Sequence, residues 1–385
     1  VEPLFEFSFG IAGSLAARGV STSLSRTGVA TAALSVAVAT VIGIGLMVNS
    51  FRISVEEWLS GTLTADIYLS TEADNVFSDS QLELLNTVPG VLGISVTRFT
   101  RIPTELGEVS LRAQKPGPLG WGLSVQDQVP QAIEKIELNK GILVSESLAF
   151  HRDLTPGDEL YLPTTEGQKS FTVLGSFRDY NTNGGTILMP LEMYRTYWRD
   201  DTVSGVGVYL KASADRENTI SGIRRALGNN SAIRLRSNDF IRERSLSIFD
   251  QTFKITEVLR ILAGIVAFLG LASALMSIEL ERGREVAILR TMGMAPRQIG
   301  ILTLSQTTLL GLASGLFAIP LGIVMAALLI FVINVRSFGW SMNLELSSQP
   351  LLLGVLLALT ASILAGIYPA IRAVQSGVAH QLRDE

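Results

Sequence analysis

The residue types that carry most protein chemistry are scarce in this chain. It has two histidines, His151 and His380, and no cysteine. A zinc site draws three or four ligands from His, Cys and carboxylate, and isolated histidines far apart in the chain do not supply them. Without cysteine there are no disulfides, thiolate ligands or cysteine nucleophiles. No histidine is placed to serve as base to a serine. Asp and Glu are scattered singly, without calcium-loop spacing. Gly184-Gly185 reads as a turn rather than a phosphate cradle. The Gly-x-x-x-x-Gly-Lys-[Ser/Thr] run of a nucleotide-hydrolysing loop is absent from the sequence. A net charge of −4 lacks the basic face that a nucleic acid would need. No catalytic, cofactor-binding or metal-ligating residue is therefore assigned, and a membrane enzyme has no support.

One stretch does combine charge, apolar residues and turn chemistry at close spacing. Glu279, Glu281, Arg282, Arg284 and Glu285 form a stalk of mixed sign, followed by apolar Val286, Ile288 and Leu289 and by Arg290. Gly293 suits the left-handed turn that closes a helix. Pro296 suits the first turn of the next one. The reading is a rigid helix–turn–helix that exposes Met292, Met294 and Ala295 at its tip, between the basic Arg290 and Arg297. A small apolar knob with basic flanks suits docking to a protein partner.

The elements that position this tip are membrane spans. The chain is 47% hydrophobic and only 17% charged, and its mean hydropathy is +0.37. A spanning helix needs roughly 20 apolar residues to cross about 30 Å of hydrocarbon. Four stretches qualify: Thr27 to Val48, Ile261 to Ile278, Ile299 to Ile333, and Leu351 to Ala370. The first is too long for a signal peptide core and lacks a cleavage site. The third would reach roughly 50 Å as a straight helix; it reads as one long helix kinked at Pro320 rather than two short spans. Arg18 and Arg26 precede the first span, Arg282, Arg284, Arg290 and Arg297 sit between the second and third, and Arg372 and Arg383 follow the fourth. That bias places both termini and the 282–298 loop in the cytoplasm. Small residues recur every four positions at Thr31, Ser35, Ala39 and Gly43, at Gly311 and Gly315, and at Ala358, Ser362 and Gly366, which predicts close helix packing. The spans carry almost no charge, against a proton- or ion-coupled carrier.

The fold class expected is an α-helical membrane bundle of four transmembrane helices with a large extracytoplasmic α/β domain inserted between helices 1 and 2. The order is an amphipathic cytoplasmic elbow over 1–26, the first span over 27–50, the outer domain over 51–250, a stalk with the second span over 251–281, the cytoplasmic segment over 282–298, the third span over 299–335, an outer turn over 336–349, the fourth span over 350–371 and a cytoplasmic tail over 372–385. Within the outer domain, Ala65–Leu69, Gly141–Ser145, Phe171–Leu174 and Val206–Leu210 read as strands. Ser78 or Asp79 caps a helix over Gln81–Leu85, Glu146–Phe150 and Ser221–Leu227 are helical, and Pro156-Gly157-Asp158 is a turn. No residue there stands out as a binding group. Phe338 and Trp340 read as interfacial anchors.

The run from Arg284 to Gly293 resembles the hallmark of FtsX/MacB-type ABC transporter permeases, in which Arg-Glu-hydrophobic-Leu-Arg-x-x-Gly precedes a helix. Gly366 to Ala370, with Gln381-Leu382-Arg383-Asp384-Glu385, is similar to the family's closing pattern. Leu15 to Arg18 and Ser25 to Gly28 are similar to its elbow. In the outer domain the likeness rests on Leu143 to Glu146 and Gly157-Asp158. The resemblance implies that Arg284, Glu285, Leu289, Arg290, Met292, Gly293, Met294, Pro296 and Arg297 dock a separate cytoplasmic ABC ATPase, which holds the ATP that this chain does not. It implies a multi-pass protein of the bacterial inner membrane, in contact with lipid, that passes ATP-driven motion to its outer domain for export or extraction of a lipid, lipoprotein or other periplasmic substrate. An FtsX-like regulator of a cell-wall enzyme is the alternative. A second permease bundle is implied as well, either a second copy or the other half of a longer chain; the Val1 start, the closing residues and Asn334 to Trp340 favour the C-terminal half of a two-bundle permease.

Overall fold

The computed structural model describes residues 24–71, 77–104, 107–180, 184–228, 233–281 and 288–375. Helix α1 (Leu24–Thr62) opens the described chain. It leads into β1 (Ile67–Thr71), α2 (Asp79–Thr87), β2 (Val91–Thr104), β3 (Gly107–Lys115), β4 (Val125–Gln128), α3 (Ala132–Glu137), β5 (Ile142–Ser145) and α4 (Glu146–Arg152). Next come β6 (Glu159–Thr164), β7 (Gly167–Phe177), β8 (Thr186–Pro190), α5 (Leu191–Trp198), β9 (Gly205–Leu210), α6 (Arg216–Ala226) and β10 (Ile233–Ser237). Helix α7 (Asn238–Glu281), α8 (Pro296–Leu328), a π-helical turn (Leu329–Asn334), α9 (Val335–Phe338) and α10 (Ser348–Gln375) complete it. Two compact units divide these elements. One holds Phe51–Asp250 with Ile333–Asn343, and the other holds Val1–Ser50, Gln251–Val332 and Leu344–Glu385.

The first unit is built on a mixed sheet. Among the described residues its strand order is β10-β1-β9-β2-β3-β8-β5-β7-β4, with β6 paired to β7. The β3–β8 and β5–β7 pairs are parallel and the others antiparallel. The sequence-predicted strands and helices all appear with their ends shifted by a few residues: β1 starts at Ile67 rather than Ala65, β5 at Ile142 rather than Gly141, and α6 runs Arg216–Ala226. Helix α2 starts where a capping box satisfies it: Ser78 Oγ accepts from the Gln81 amide while the Gln81 side chain accepts from the Ser78 amide. Ser145 caps α4 by accepting from the Leu148 amide at 3.3 Å, and the same Oγ accepts from the Thr186 amide of β8 at 2.9 Å. One hydroxyl thus sets the helix start and ties it to the sheet. Ile67, Leu111, Ile142, Ile187 and Val208 anchor the core and are almost wholly buried; each such side chain contributes about 1.5–3 kcal/mol.

The second unit is helical and apolar. Among the described residues, three helices are long and apolar enough to cross a membrane: Thr31–Thr62, Pro296–Phe338 and Ser348–Ile371. The expected second span, Ile261 to Ile278, lies within α7, a continuous helix of 44 residues. The third span is one helix, and Pro320 sits inside it without ending it. Its departure from α geometry comes further on, at Leu329–Asn334.

The small residues act as the four-residue spacing predicts. A Cβ on Gly322 would come 2.6 Å from Ile42, and one on Gly354 would come 2.3 Å from it. Ile42, fully buried, therefore fits against bare backbone on both α8 and α10. Gly311 faces Ser362 and Gly366 faces Thr307 in the same manner. Ser35 Oγ donates to the Ser314 carbonyl at 3.2 Å and Ser314 Oγ to the Thr31 carbonyl at 3.3 Å, so the hydroxyls also hydrogen-bond between helices.

Candidate functional site

The helix–turn–helix tip is built as its residues require. Residues 288–291 are helical. The Gly293 amide donates to the Arg290 carbonyl at 3.0 Å and the Met294 amide to the Leu289 carbonyl at 3.1 Å. That pair of bonds is a Schellman closure, and it needs the left-handed φ of +95° that Gly293 has. The hydrophobic contact that usually accompanies it is present, since Leu289 and Met294 both pack on Leu302 and Leu309 of α8. Pro296 takes the first position of α8. The Gln298 side chain accepts from the Ala295 amide at 2.9 Å, closing the other side of the turn.

The exposed tip differs from expectation in one residue. Met292 is 78% exposed and Ile288 52% exposed, whereas Met294 is half-buried. Met294 is drawn inward because the Schellman turn puts it over Leu289. The apolar knob is therefore Ile288 with Met292, beside exposed Ala295, Pro296 and Arg297. Arg284 and Glu285 lie outside the described residues, as do the elbow through residue 23 and the closing residues from 376. Leu289 and Arg290 are half-buried.

Two features of the sheet unit escaped the sequence reading. The first is a paired helical stem. Helix α1 continues to Thr62 and α7 begins at Asn238, well before residue 251 expected as the start of the stalk. Asn238 donates to the Leu63 and Ala65 carbonyls at 2.7 and 2.9 Å, so it joins the end of one helix to the start of the other. Beyond it, Arg242 pairs with Glu56 at 3.1 Å, Arg52 pairs with Asp250 at 3.0 Å, and Phe51 meets the edge of Phe249 with ring centroids 5.2 Å apart. The partners run in opposite directions along the two helices, which makes the stem antiparallel. Each half-exposed ion pair is worth little alone, but together they set the register.

The second is a clasp on the segment Ile333–Asn343. Trp340 is not an exposed anchor; it is 4% exposed. It stacks on Phe338 at 4.9 Å and meets Tyr180 edge-on at 5.6 Å. Its indole N–H donates to Asn334 Oδ1 at 3.1 Å, and Asn334 Nδ2 donates to the Trp340 carbonyl at 2.9 Å. Gly339 turns the chain at φ +75°, where a Cβ would come 3.0 Å from His151 and from Ser147. The Ser341 amide and hydroxyl both donate to the Glu146 carboxylate, at 2.9 and 2.8 Å. Arg178 Nη2 donates to Ser341 Oγ at 3.2 Å. His151 Nδ1 lies 2.7 Å from the Ser147 carbonyl, in keeping with a packing role. The Ser145-Glu146 pair singled out in the sequence thus has two structural tasks, capping α4 and holding Ser341.

A half-buried network ties β2 to the segment after α5. Arg98 meets Asp200 at 3.0 Å, and the Tyr194 hydroxyl donates to the same carboxylate at 2.8 Å. Burial pushes the Asp200 pKa up, but the Thr202 hydroxyl and amide, Tyr194 and Arg98 together hold it below its ordinary value. Burial and the bond to Asp200 raise the Tyr194 pKa to about 12. Asp158 is lowered by the Thr155 amide and hydroxyl, which explains the Gly157-Asp158 turn rather than any chemistry. Among the described residues no group of His, Cys, Asp and Glu could hold a metal ion.

Comparison with known proteins agrees with this architecture. Residues 27–226 match the family model of the MacB-like periplasmic core domain, and residues 258–378 match that of the FtsX-like permease C-terminal region. An uncharacterized ABC transporter permease protein of Mycobacterium tuberculosis is 34% identical over 98% of this chain. The chain spans 45% of that relative's length. Similar solved structures include the periplasmic region of MacB from Actinobacillus actinomycetemcomitans, at 10% identity over 48% of this chain and 94% of that one, with a TM-score of 0.38. The extracellular domain of the ABC-type transporter YknZ from Gram-positive bacteria, at 16% identity over 45% of this chain and 100% of that one, gives 0.35. Joining a MacB-like core domain to an FtsX-like C-terminal region, the chain belongs to the FtsX/MacB-type family of ABC transporter permeases, multi-pass membrane proteins.

Proposed function

We propose that this chain is the permease part of an ABC transporter that transmits motion from a cytoplasmic ATPase to an extracytoplasmic sheet domain. In this reading α7 supplies the second of four spans, both termini face the cytoplasm of a bacterial inner membrane, and a second four-span bundle completes the working unit. The motion serves export or extraction of a lipid, a lipoprotein or another periplasmic substrate. ATP hydrolysis belongs to the partner. The observation that carries the reading is the rigid tip at Ile288–Arg297. Its Schellman turn and proline-started helix fix an exposed Met292 and Ile288 in one geometry. A fixed apolar knob recognises a partner without losing much conformational entropy on docking. The stem and the clasp support transmission, since α1, α7 and the segment between α8 and α10 each contribute residues to the sheet unit.

The test is a pull-down of the full chain in detergent from the soluble proteins of its own cell. One ABC ATPase is expected to be recovered, and Met292→Asp is expected to reduce recovery at least about tenfold, since a charge would be desolvated in the dock. Recovery of no ATPase, or recovery unaffected by charges at both 288 and 292, would reject the docking role.

A further inference from the structure

The sheet unit contains a cavity of about 530 Å³ that the tip, stem and clasp do not explain. It is lined by residues of α1, β2, β3, β7 and β8. Along β3, Leu111 also belongs to the buried core, and Ser110, Leu111 and Arg112 all line the cavity. Its size falls in the range of about 300–1,000 Å³ typical of small-ligand sites.

The lining has two chemistries. Trp58, Leu123, Phe177 and Tyr180 supply apolar and aromatic surface. Arg112 and Arg178 supply two guanidinium groups, with Asp179 and Thr186 beside them. Three buried polar atoms here have no hydrogen-bond partner among the described residues: Arg112 Nε, Arg178 Nε and Thr186 Oγ1. Two are obligatory donors, and the third donates as readily as it accepts. A buried donor without a partner costs about 1–3 kcal/mol. Native proteins rarely leave several such groups together unless a ligand or water completes them. Arg112 is half-buried, and desolvation pushes its pKa down, with Asp179 opposing the shift. Asp179 faces Arg112 and the Glu146 carboxylate reaches Arg178 through Ser341, so the unpaired donors, rather than net charge, call for an acceptor.

From this geometry we infer a binding site for a single-chain anionic amphiphile, a carboxylate or phosphate head on an alkyl or aryl tail. The head sits against Arg112 and Arg178, where planar guanidinium groups bind such anions with paired hydrogen bonds. The tail lies along Trp58, Phe177 and Tyr180. Arg178 also donates to Ser341, and Tyr180 packs on Trp340, so two ligand-contacting residues belong to the clasp as well. The assignment deepens the export reading by naming a ligand class for the sheet unit, and it rests on that reading only for its purpose.

Native mass spectrometry of the full chain in a neutral detergent tests it, with dodecyl phosphate and dodecanol as probes and no ATPase present. One bound dodecyl phosphate per chain is expected, retained at least about tenfold better than dodecanol because only the anion satisfies the guanidinium donors. Arg178→Gln and Arg112→Gln are each expected to weaken it by a similar factor, and Leu123→Trp, which fills the cavity without touching the charges, to abolish it. Should an arginine variant fail to fold, Leu123→Trp decides alone. An anionic lipid that co-purifies at one per chain and is displaced by dodecyl phosphate identifies the bilayer as the source; an empty chain that takes up the probe identifies a free amphiphile. Equal retention of alcohol and phosphate, or retention undiminished by Leu123→Trp, overturns the site while leaving the ATPase pull-down unaffected.

Discussion

Single residues decide whether the tip keeps its shape and the sheet unit keeps its half-buried carboxylate network. Gly293 has φ +95° and open space where a Cβ would go, so Gly293→Ala meets strain from the backbone alone. The expected cost is about 1 kcal/mol, the usual penalty of a left-handed non-glycine residue. It is expected to appear as faster amide exchange at Met292–Met294 with the rest of α8 unchanged; unchanged exchange would mean the Schellman turn does not hold in solution. Asp200 supports a pH prediction. Its pKa is lowered on folding, so its contribution is present above the ordinary carboxylate range and lost as pH falls through the folded value. Asp200→Asn is expected to lower stability at neutral pH by about 1.5–3 kcal/mol, typical of hydrogen bonds to a charged group. The variant's melting temperature is expected to fall less than wild type between pH 6 and the acid limb. Parallel acid limbs for the two proteins would remove Asp200 from the account.

Elements meet at contacts that can be separated one at a time. Gly322 on α8 leaves no room for a side chain beside Ile42. Gly322→Val is expected to destabilise the helical unit by about 1–3 kcal/mol through overpacking, whereas Leu316→Val, at a 57% exposed position of the same helix, is expected to change little. Thermal unfolding in one detergent compares them. Equal effects would mean that helix propensity, not packing, sets the loss. The clasp is a second contact between elements. Glu146→Gln keeps the volume but weakens acceptance from the Ser341 amide and hydroxyl. Amide exchange across 335–343 is expected to rise several-fold, since hydrogen bonds to a carboxylate contribute about 1.5–3 kcal/mol and the amide replaces only part of that. Exchange confined to wild-type rates would place the clasp's strength in the Trp340 stack instead.

At the scale of the whole chain, the proposed transmission requires α7 to be unbroken. Its 44 residues run without interruption from the stem into the apolar unit. A helix of that length extends about 66 Å at 1.5 Å per residue. Thr256→Pro is expected to cost about 3 kcal/mol locally and to kink the helix. It is expected to leave ATPase recovery intact while uncoupling ATP hydrolysis from conformational change in the sheet unit, read by exchange across the clasp. A variant that keeps full coupling would show that motion travels through α1 or the 333–343 segment.

The amino-acid sequence by itself determined the apolar helices, the insertion of a large α/β domain and the turn chemistry of the tip. These follow from local signals: runs longer than the hydrocarbon is thick, Gly293 and Pro296 at the ends of two helices, Ser78 as a cap. The small-residue spacing announced which helix faces touch, because only such faces permit close backbone approach. The inward turn of Met294, the Arg52–Asp250 and Arg242–Glu56 register of the stem, the capture of Trp340 and the convergence of Arg112 with Arg178 were not legible. Each joins residues far apart in the chain, except Met294, whose burial depends on Leu302 and Leu309. Glu146 and Ser341 are 195 residues apart, and nothing in either neighbourhood names the other. Such pairings are set by where the sheet and helices come to rest, so only the tertiary structure decided them.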